Sequence, residues 1–445
     1  MELEAKRIII RDYRLANLIT IIIFSLFVIN FTHITEAIMH VTSSQVSLAS
    51  KVILGMFCLL VLPKLVLKKE NLMFVLLILM FSLLFLAYDF TNDKLVKSIA
   101  FLLTINLPLA LAVMSVRNLG VFYDRLLLMS NTIAALLMFA VVYLFATKRA
   151  LELFGGSSYS MGLSHALILP SMFLLGNYLR EKSLLSLFFS CFLLFMILMT
   201  GSRSVFLALF IYFLATYLKH YFLQANSHMN GKMLKGLLYA GLLGVLLISL
   251  YFKVATTIFD NLQKFNIQSR SIRLFTSSEG LTHDSGRSSI YKRLLIAIIE
   301  NPWKIKGYLT DQRDFNGGSA HNFILEMLYD FGVFGGLVPI AFWLYACFLS
   351  LKIIKRNNLE SEIMLVFFAE SIPLFMLHKE PLTSINTWLW LGFVINVSVH
   401  GKIEFVQHIK PLSSGGSDGL KKLVKPISDK TTKISCQLQA KPENT

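Results

Sequence analysis

"LLSLFFSCFLLFMILMTGSRSVFLALFIYFLATYLKHYF", Leu184 to Phe222, holds two apolar runs, 184–200 and 204–222, around the short joint Gly201-Ser202-Arg203. At about 1.5 Å per residue, the runs come to roughly 26 and 29 Å, at the short end of what crosses a hydrocarbon layer about 30 Å thick. Neither alternates apolar with polar residues, as a barrel strand must. The stretch reads as two membrane helices joined by a tight hairpin with an arginine at its turn.

The same pattern fills the chain. Of 445 residues, 55% are hydrophobic and only 15% charged, and the mean hydropathy is +0.65. A soluble domain has too little interior to hide that much apolar surface. The fold class is therefore all-α, a polytopic membrane protein. About twelve spans are expected, near 15–31, 47–67, 72–89, 97–115, 126–146, 162–179, 184–200, 204–222, 234–252, 322–350, 362–377 and 383–400. The net charge of +16 does not point to nucleic acid, because the cations sit in short loops and tails between apolar runs. The 37 phenylalanines suit lipid-facing helices. Cys58, Cys191, Cys347 and Cys436 have no metal-ligand or disulfide spacing. The first three lie in apolar runs, where a thiol packs as a small apolar group.

Lys and Arg cluster after alternate spans: Lys68 and Lys69, Arg117 and Arg125, Arg180 and Lys182, Lys219 and Lys232, Lys352 to Arg356, then the tail. By the positive-inside rule all of these face the cytoplasm, as do both termini. Lys94, Lys97, Lys148 and Arg149 run against the bias. The expected division is a nine-span bundle over 1–252, a large external loop over 253–321 between spans nine and ten, a three-span bundle over 322–400, and a basic tail over 401–445. The tail is Ser/Gly/Lys-rich from Pro411 and reads as disordered. Within the loop, "SSIYKRLLIAIIENPW" predicts a short helix lying on the membrane or the protein: Ile290, Leu294 and Ile298 recur at helical spacing and Pro302 stops it.

Polar residues at membrane depth are costly and mark candidate sites. On the external side lie Arg203 in "TGSRS", Arg287 in "HDSGRSSIY", His321 and Asn322 where the loop re-enters, and His378 and Lys379 in "HKEPLTS". His165 starts span six on that side. Each has a plain alternative. Arg203 fits an interfacial anchor as well as an anion ligand; Arg287 fits an ordinary loop arginine, and Asn322 a helix cap. Glu370, mid-span, pairs with a neighbouring polar group or else serves a proton path. Convergence favours function: Arg203, Arg287, His321 and Lys379 come from separate places to one side, and together they suit a diphosphate. That side lacks nucleotide donors, so group transfer there needs a donor carrying its own leaving group, which a lipid diphosphate does.

"HNFILEMLYDFGVFG" runs His321, Asn322, nine residues, Gly332, two residues, Gly335. It resembles the His-Asn signature of the O-antigen ligase and O-antigen polymerase superfamily. "SGRSSIYKRLLIAIIENPWKIKG" is similar to that family's Gly-Arg, helix, Asn-Pro, Gly segment, and "GSRS" to its arginine-bearing junction. The resemblance implies metal-independent glycosyl transfer, without a cofactor, at the periplasmic face of a bacterial inner membrane. The donor it implies is a glycan on undecaprenyl diphosphate. The acceptor is a second lipid-linked repeat unit in polymerases and the lipid A core in ligases, and a chain-length regulator is associated with polymerases. Carried over, Arg203, Arg287 and His321 are catalytic. The arginines hold the diphosphate, and the histidine orients or deprotonates the acceptor hydroxyl. Asn322, Lys379, His378 and His165 are substrate-binding candidates, and Gly332 and Gly335 are expected to let span ten pack closely and so position His321. The Lys/Glu-Pro element of "HKEPLTSINTWLWLGF" favours the polymerase. A flippase of lipid-linked sugars is the competing class, but the repeat symmetry it calls for is not visible.

Overall fold

The computed structural model describes residues 2–30, parts of 54–66, 69–147, 161–200, 203–224, 287–315, 322–356, 358–377 and 382–400. The expected span at 234–252, most of the one at 47–67, the loop over 253–286 and the tail over 401–445 lie outside these residues.

Among the described residues every regular element is a helix, and no strand occurs. In chain order they are α1 (Glu2–Asn30), α2 (Lys69–Tyr88), α3 (Asp93–Phe101), a π-helical turn (Leu102–Asn106), α4 (Leu107–Ser115), α5 (Leu119–Ala146), α6 (Met161–Glu181), α7 (Leu184–Thr200) and α8 (Arg203–Gln224). There follow α9 (Arg287–Glu300), α10 (Thr310–Asp314), α11 (Phe323–Ile354), α12 (Leu359–Leu377) and α13 (Ile385–His400). Among the described residues, five segments are long and apolar enough to cross a membrane on their own account: Asn71–Tyr88, Asp93–Ser115, Leu119–Leu144, Gly162–Glu181 and Phe323–Ile354. The other expected spans in the described regions coincide with α1, α7, α8, α12 and α13. The helix expected in the large loop is α9.

Burial sorts the helices. In α2 only 17% of the apolar window is buried, so most of its Leu and Met residues face outward; in the α3–α4 segment the figure is 78%, which makes it central. Aromatic rings fill the centre. Phe367 of α12 meets Phe393 of α13 at 5.6 Å and Phe173 of α6 at 6.0 Å, and Phe122 of α5 joins them. Gly392 permits the close approach of α13 to α4, since a Cβ there would lie 2.8 Å from the Ala110 carbonyl. Small residues serve this purpose in membrane bundles, where close backbone packing supplies much of the attraction between helices. Of the thiols in apolar runs, Cys58 is buried as expected, Cys347 is half-buried and Cys191 is exposed.

Polar side chains tie the turns. Asp12 of α1 is fully buried and accepts the N–H groups of Arg117 (3.2 Å) and Asn118 (2.6 Å) at the α4–α5 turn. Asn396 of α13 donates to the Val113 and Val116 carbonyls where α4 ends. The π-helical turn has a local cause. Pro108 lacks an N–H and its ring crowds the carbonyl one turn back, so the helix widens there. The Leu107 N–H reaches the Leu102 carbonyl, five residues back. The widening sets Asn106 to donate to the Leu382 carbonyl at 2.6 Å.

Candidate active site at one end of the bundle

The segment that begins at Asn322 shows how this end is built. Asn322 is extended, and its Oδ1 accepts the N–H groups of Ile324 (3.1 Å) and Leu325 (3.2 Å), which caps α11. The first turn's free donors are thus satisfied, and because Oδ1 takes both, the Nδ2 amide is left to donate elsewhere.

α11 is not one continuous helix. Gly332 has φ 67 and ψ 175, and it separates a short leading segment from the stem that runs on to Ile354. The Val333 N–H turns away from its own helix and donates to the Pro302 carbonyl at 2.7 Å. A Cβ on Gly332 would lie 3.0 Å from that same carbonyl. Gly332 therefore breaks the span, where packing was expected of it. Close packing falls to Gly336: a Cβ there would lie 2.5 Å from the Met327 carbonyl, so the leading segment touches the stem backbone to backbone.

Asp330 completes the junction. Its carbonyl accepts from Lys306 (2.8 Å) and Gly307 (2.9 Å), and its carboxylate accepts from the N–H groups of Leu309 (2.9 Å) and Asp311 (3.3 Å). Leu309 is held at φ 65, a left-handed conformation that costs a residue with a Cβ about 1–2 kcal/mol; the Asp330 carboxylate offsets that cost. Gly307, at φ 96, leaves room for the Tyr88 ring, whose hydroxyl donates to the Ile305 carbonyl at 2.5 Å. Pro302 and Gly307, the Pro and Gly positions of the 285–307 segment, thus grip the break in α11, together with Lys306. Lys306 stacks over the Tyr329 ring at 3.4 Å, and burial lowers its pKa from the usual lysine value, while Asp314 opposes the shift.

α9 runs parallel to the leading segment. Pro302, just past its end, meets Val333, while Leu294 is buried against Tyr329 with Ile290 and Leu325 beside them. The end of α9 that begins at Arg287 is thereby directed toward Asn322. The α2–α3 turn joins the same end: Asp89 pairs with Arg313 at 3.1 Å, and Lys94 bonds Gln312. Phe323 packs on Phe375 at 4.2 Å, which brings in the end of α12. α8 lies against α12 and is antiparallel to it, because Lys219 bonds Ser361; α8 thus starts, at Arg203, toward this end. Ser204 Oγ lies 3.2 Å from Nε2 of the buried His165, so the start of α6 meets the start of α8.

The sequence candidates divide accordingly. Asn322 and His165 are placed at this end. Arg203 and Arg287 are the first residues of α8 and α9, but their side chains lie outside the described set, as do His321, His378 and Lys379 altogether. Glu370 is buried and accepts from Asn386 at 2.6 Å, the neighbouring polar partner expected of it. Asp330, Gly336 and Asn106 were not legible in advance. The one signal for Asp330 was an aspartate inside an apolar run, two residues ahead of a glycine. Among the described residues no group of His, Cys, Asp and Glu is arranged to hold a metal ion.

Two comparisons bear on this site. No curated protein matches the chain. A family model described as O-antigen ligase matches residues 188–340, a stretch that holds the α7–α8 hairpin, α9 and the broken part of α11. That match supports O-antigen-ligase-type glycan transfer in general, and with it the chain's place in the O-antigen ligase and polymerase superfamily.

Proposed function

We propose that the chain transfers a glycan from undecaprenyl diphosphate to an acceptor sugar hydroxyl at the periplasmic face of a bacterial inner membrane, and that it extends O-antigen or related repeat units. The acceptor oxygen forms a bond to the anomeric carbon while the bond from that carbon to the diphosphate breaks. The lipid diphosphate leaves with the electron pair. Arg203 and Arg287 meet its growing charge, which is the group most in need of stabilisation in the transition state, and this step calls for no metal ion. His321 orients the acceptor hydroxyl or takes its proton, a task suited to an imidazole. His165, Asn322, His378 and Lys379 hold the two glycans.

The observation that carries this reading is the latch at Gly332. It fixes α9 parallel to the leading segment of α11, so that Arg287 and the residues around Asn322 are directed together rather than spread along a loop. The family description names the ligase, and ligation to lipid A core is the second reading. The two share donor and chemistry and differ in acceptor.

Surface lipopolysaccharide from a deletion strain, complemented with wild type or His321→Ala, separates the readings. A core carrying one repeat unit with no ladder means a polymerase. A bare core with polymer retained on the lipid carrier means a ligase. An unchanged ladder in the deletion strain overturns both, and a ladder restored by His321→Ala removes that residue from the chemistry.

A further inference from the structure

A second site lies at the opposite end of the bundle. An open cavity of about 210 Å³ is bounded by α5, α6, α8 and α12 and lined by Tyr123, Arg180, Tyr212, Lys219 and Glu362 over an apolar wall that includes Phe173. Arg180 is in the last turn of α6 and Glu362 in the first turn of α12. Along α6, Arg180 stands about 22 Å from His165 at 1.5 Å per residue. The cavity is therefore remote from the site described above, at the end expected to face the cytoplasm.

Its charges are incompletely matched. Arg180 lies over the Tyr123 ring at 4.2 Å, bonds Glu181 at 3.0 Å, and forms only a loose ion pair with Glu362 at 3.6 Å, beyond hydrogen-bond distance. Lys219 bonds Ser361. Glu362 Oε2 and the Tyr123 hydroxyl are both buried with no hydrogen-bond partner among the described residues. Such groups ordinarily have a partner. An anion alone would face Glu362, and a cation alone would face Arg180 and Lys219. A molecule with an ammonium next to a phosphate answers all of them: N–H for Glu362, phosphate oxygens for the Tyr123 hydroxyl, Arg180 and Lys219. Gly176 keeps the wall open, since a Cβ there would lie 3.1 Å from the Tyr212 hydroxyl. Leu179 lines the cavity and is also exposed on the bundle's flank, so apolar surface continues from the cavity toward lipid. The volume is below that of pockets for whole drug-sized ligands, about 300 Å³ and up, and suits a head group whose chains remain outside.

We propose that this cavity binds the head group of an ethanolamine phospholipid, with Glu362 selecting the primary ammonium and Arg180 and Lys219 the phosphate. The test is native mass spectrometry of the purified full chain taken from mixed bilayers of phosphatidylethanolamine, phosphatidylcholine and phosphatidylglycerol. Wild type should retain phosphatidylethanolamine over either competitor by about tenfold, the weight of one hydrogen bond to a charged group. Glu362→Gln should level phosphatidylethanolamine with phosphatidylcholine, because choline offers no N–H. Gly176→Ala, which narrows the cavity without touching a charge, should weaken retention of the ethanolamine lipid. Equal retention of the three lipids by wild type would overturn the proposal, as would a preference that survives in both variants. Soluble phosphoethanolamine, added to protein in phosphatidylcholine discs, should not displace the lipid. Displacement at equal concentration would assign the cavity to a soluble phosphate ester and overturn the lipid reading.

Discussion

The Val333 N–H donates to the Pro302 carbonyl at 2.7 Å, where an unbroken helix would have sent it to Tyr329. One hydrogen bond thus joins the end of the loop helix to the middle of a membrane span, and it requires Gly332 at φ 67 and ψ 175. Residues with a Cβ avoid that region at a cost of about 1–3 kcal/mol, and here the Cβ would also crowd Pro302. Gly332→Ala should lower stability by roughly that amount in a detergent unfolding assay and abolish the glycan product. Gly335→Ala, inside the helical stem, should stay within about 1 kcal/mol of wild type.

Asp330 grips the loop with both its carbonyl and its carboxylate. Asp330→Asn keeps one acceptor oxygen but turns an amide toward a backbone N–H that then lacks a partner, at a cost of about 1–3 kcal/mol. Hydrogen–deuterium exchange at Leu309 and Asp311 should accelerate in this variant while exchange in α6 stays unchanged. Equal exchange at Leu309 in variant and wild type would count against the latch.

Asn322 has two separable roles. Asn322→Ala should cost about 0.5–2 kcal/mol through loss of the cap. Asn322→Asp keeps an acceptor for Ile324 and Leu325 but removes the amide donors. It should hold its thermal stability within a few tenths of a kcal/mol while glycan transfer falls. Full transfer by Asn322→Asp would reduce Asn322 to a cap.

Glu370 accepts from Asn386 at 2.6 Å deep between α12 and α13. Glu370→Gln can still accept that bond through its amide oxygen and should retain both stability and product. Glu370→Ala leaves the Asn386 amide without its acceptor and should lose about 1–3 kcal/mol. Loss of product in Glu370→Gln with stability intact would point instead to a proton path through this carboxyl.

The helices were legible because their signal is local. An apolar run of span length, or Ile290, Leu294 and Ile298 at helical spacing, means the same thing in any surroundings. Asn322 was legible as a cap for the same reason. The break at Gly332 was not. Glycine in a span reads equally as close packing, and only the Pro302 carbonyl, distant in sequence, decides between the two. Asp330 was hidden likewise: its partners are backbone N–H groups, which carry no sequence signature. The π-helical turn follows from Pro108, but the service of Asn106 to Leu382 does not, because Leu382 reaches it only through the packing of α13 on α4.

A continuous helix transmits phase. Insert or delete one residue anywhere in it, and everything beyond turns by about 100° around the axis. The non-helical residue at Gly332 interrupts that transmission. The orientation of the leading segment is set by Pro302, by Asp330's bonds to the loop and by the contact at Gly336, so the stem beyond Gly336 can gain or lose residues without rotating Asn322 away from the helix end it caps.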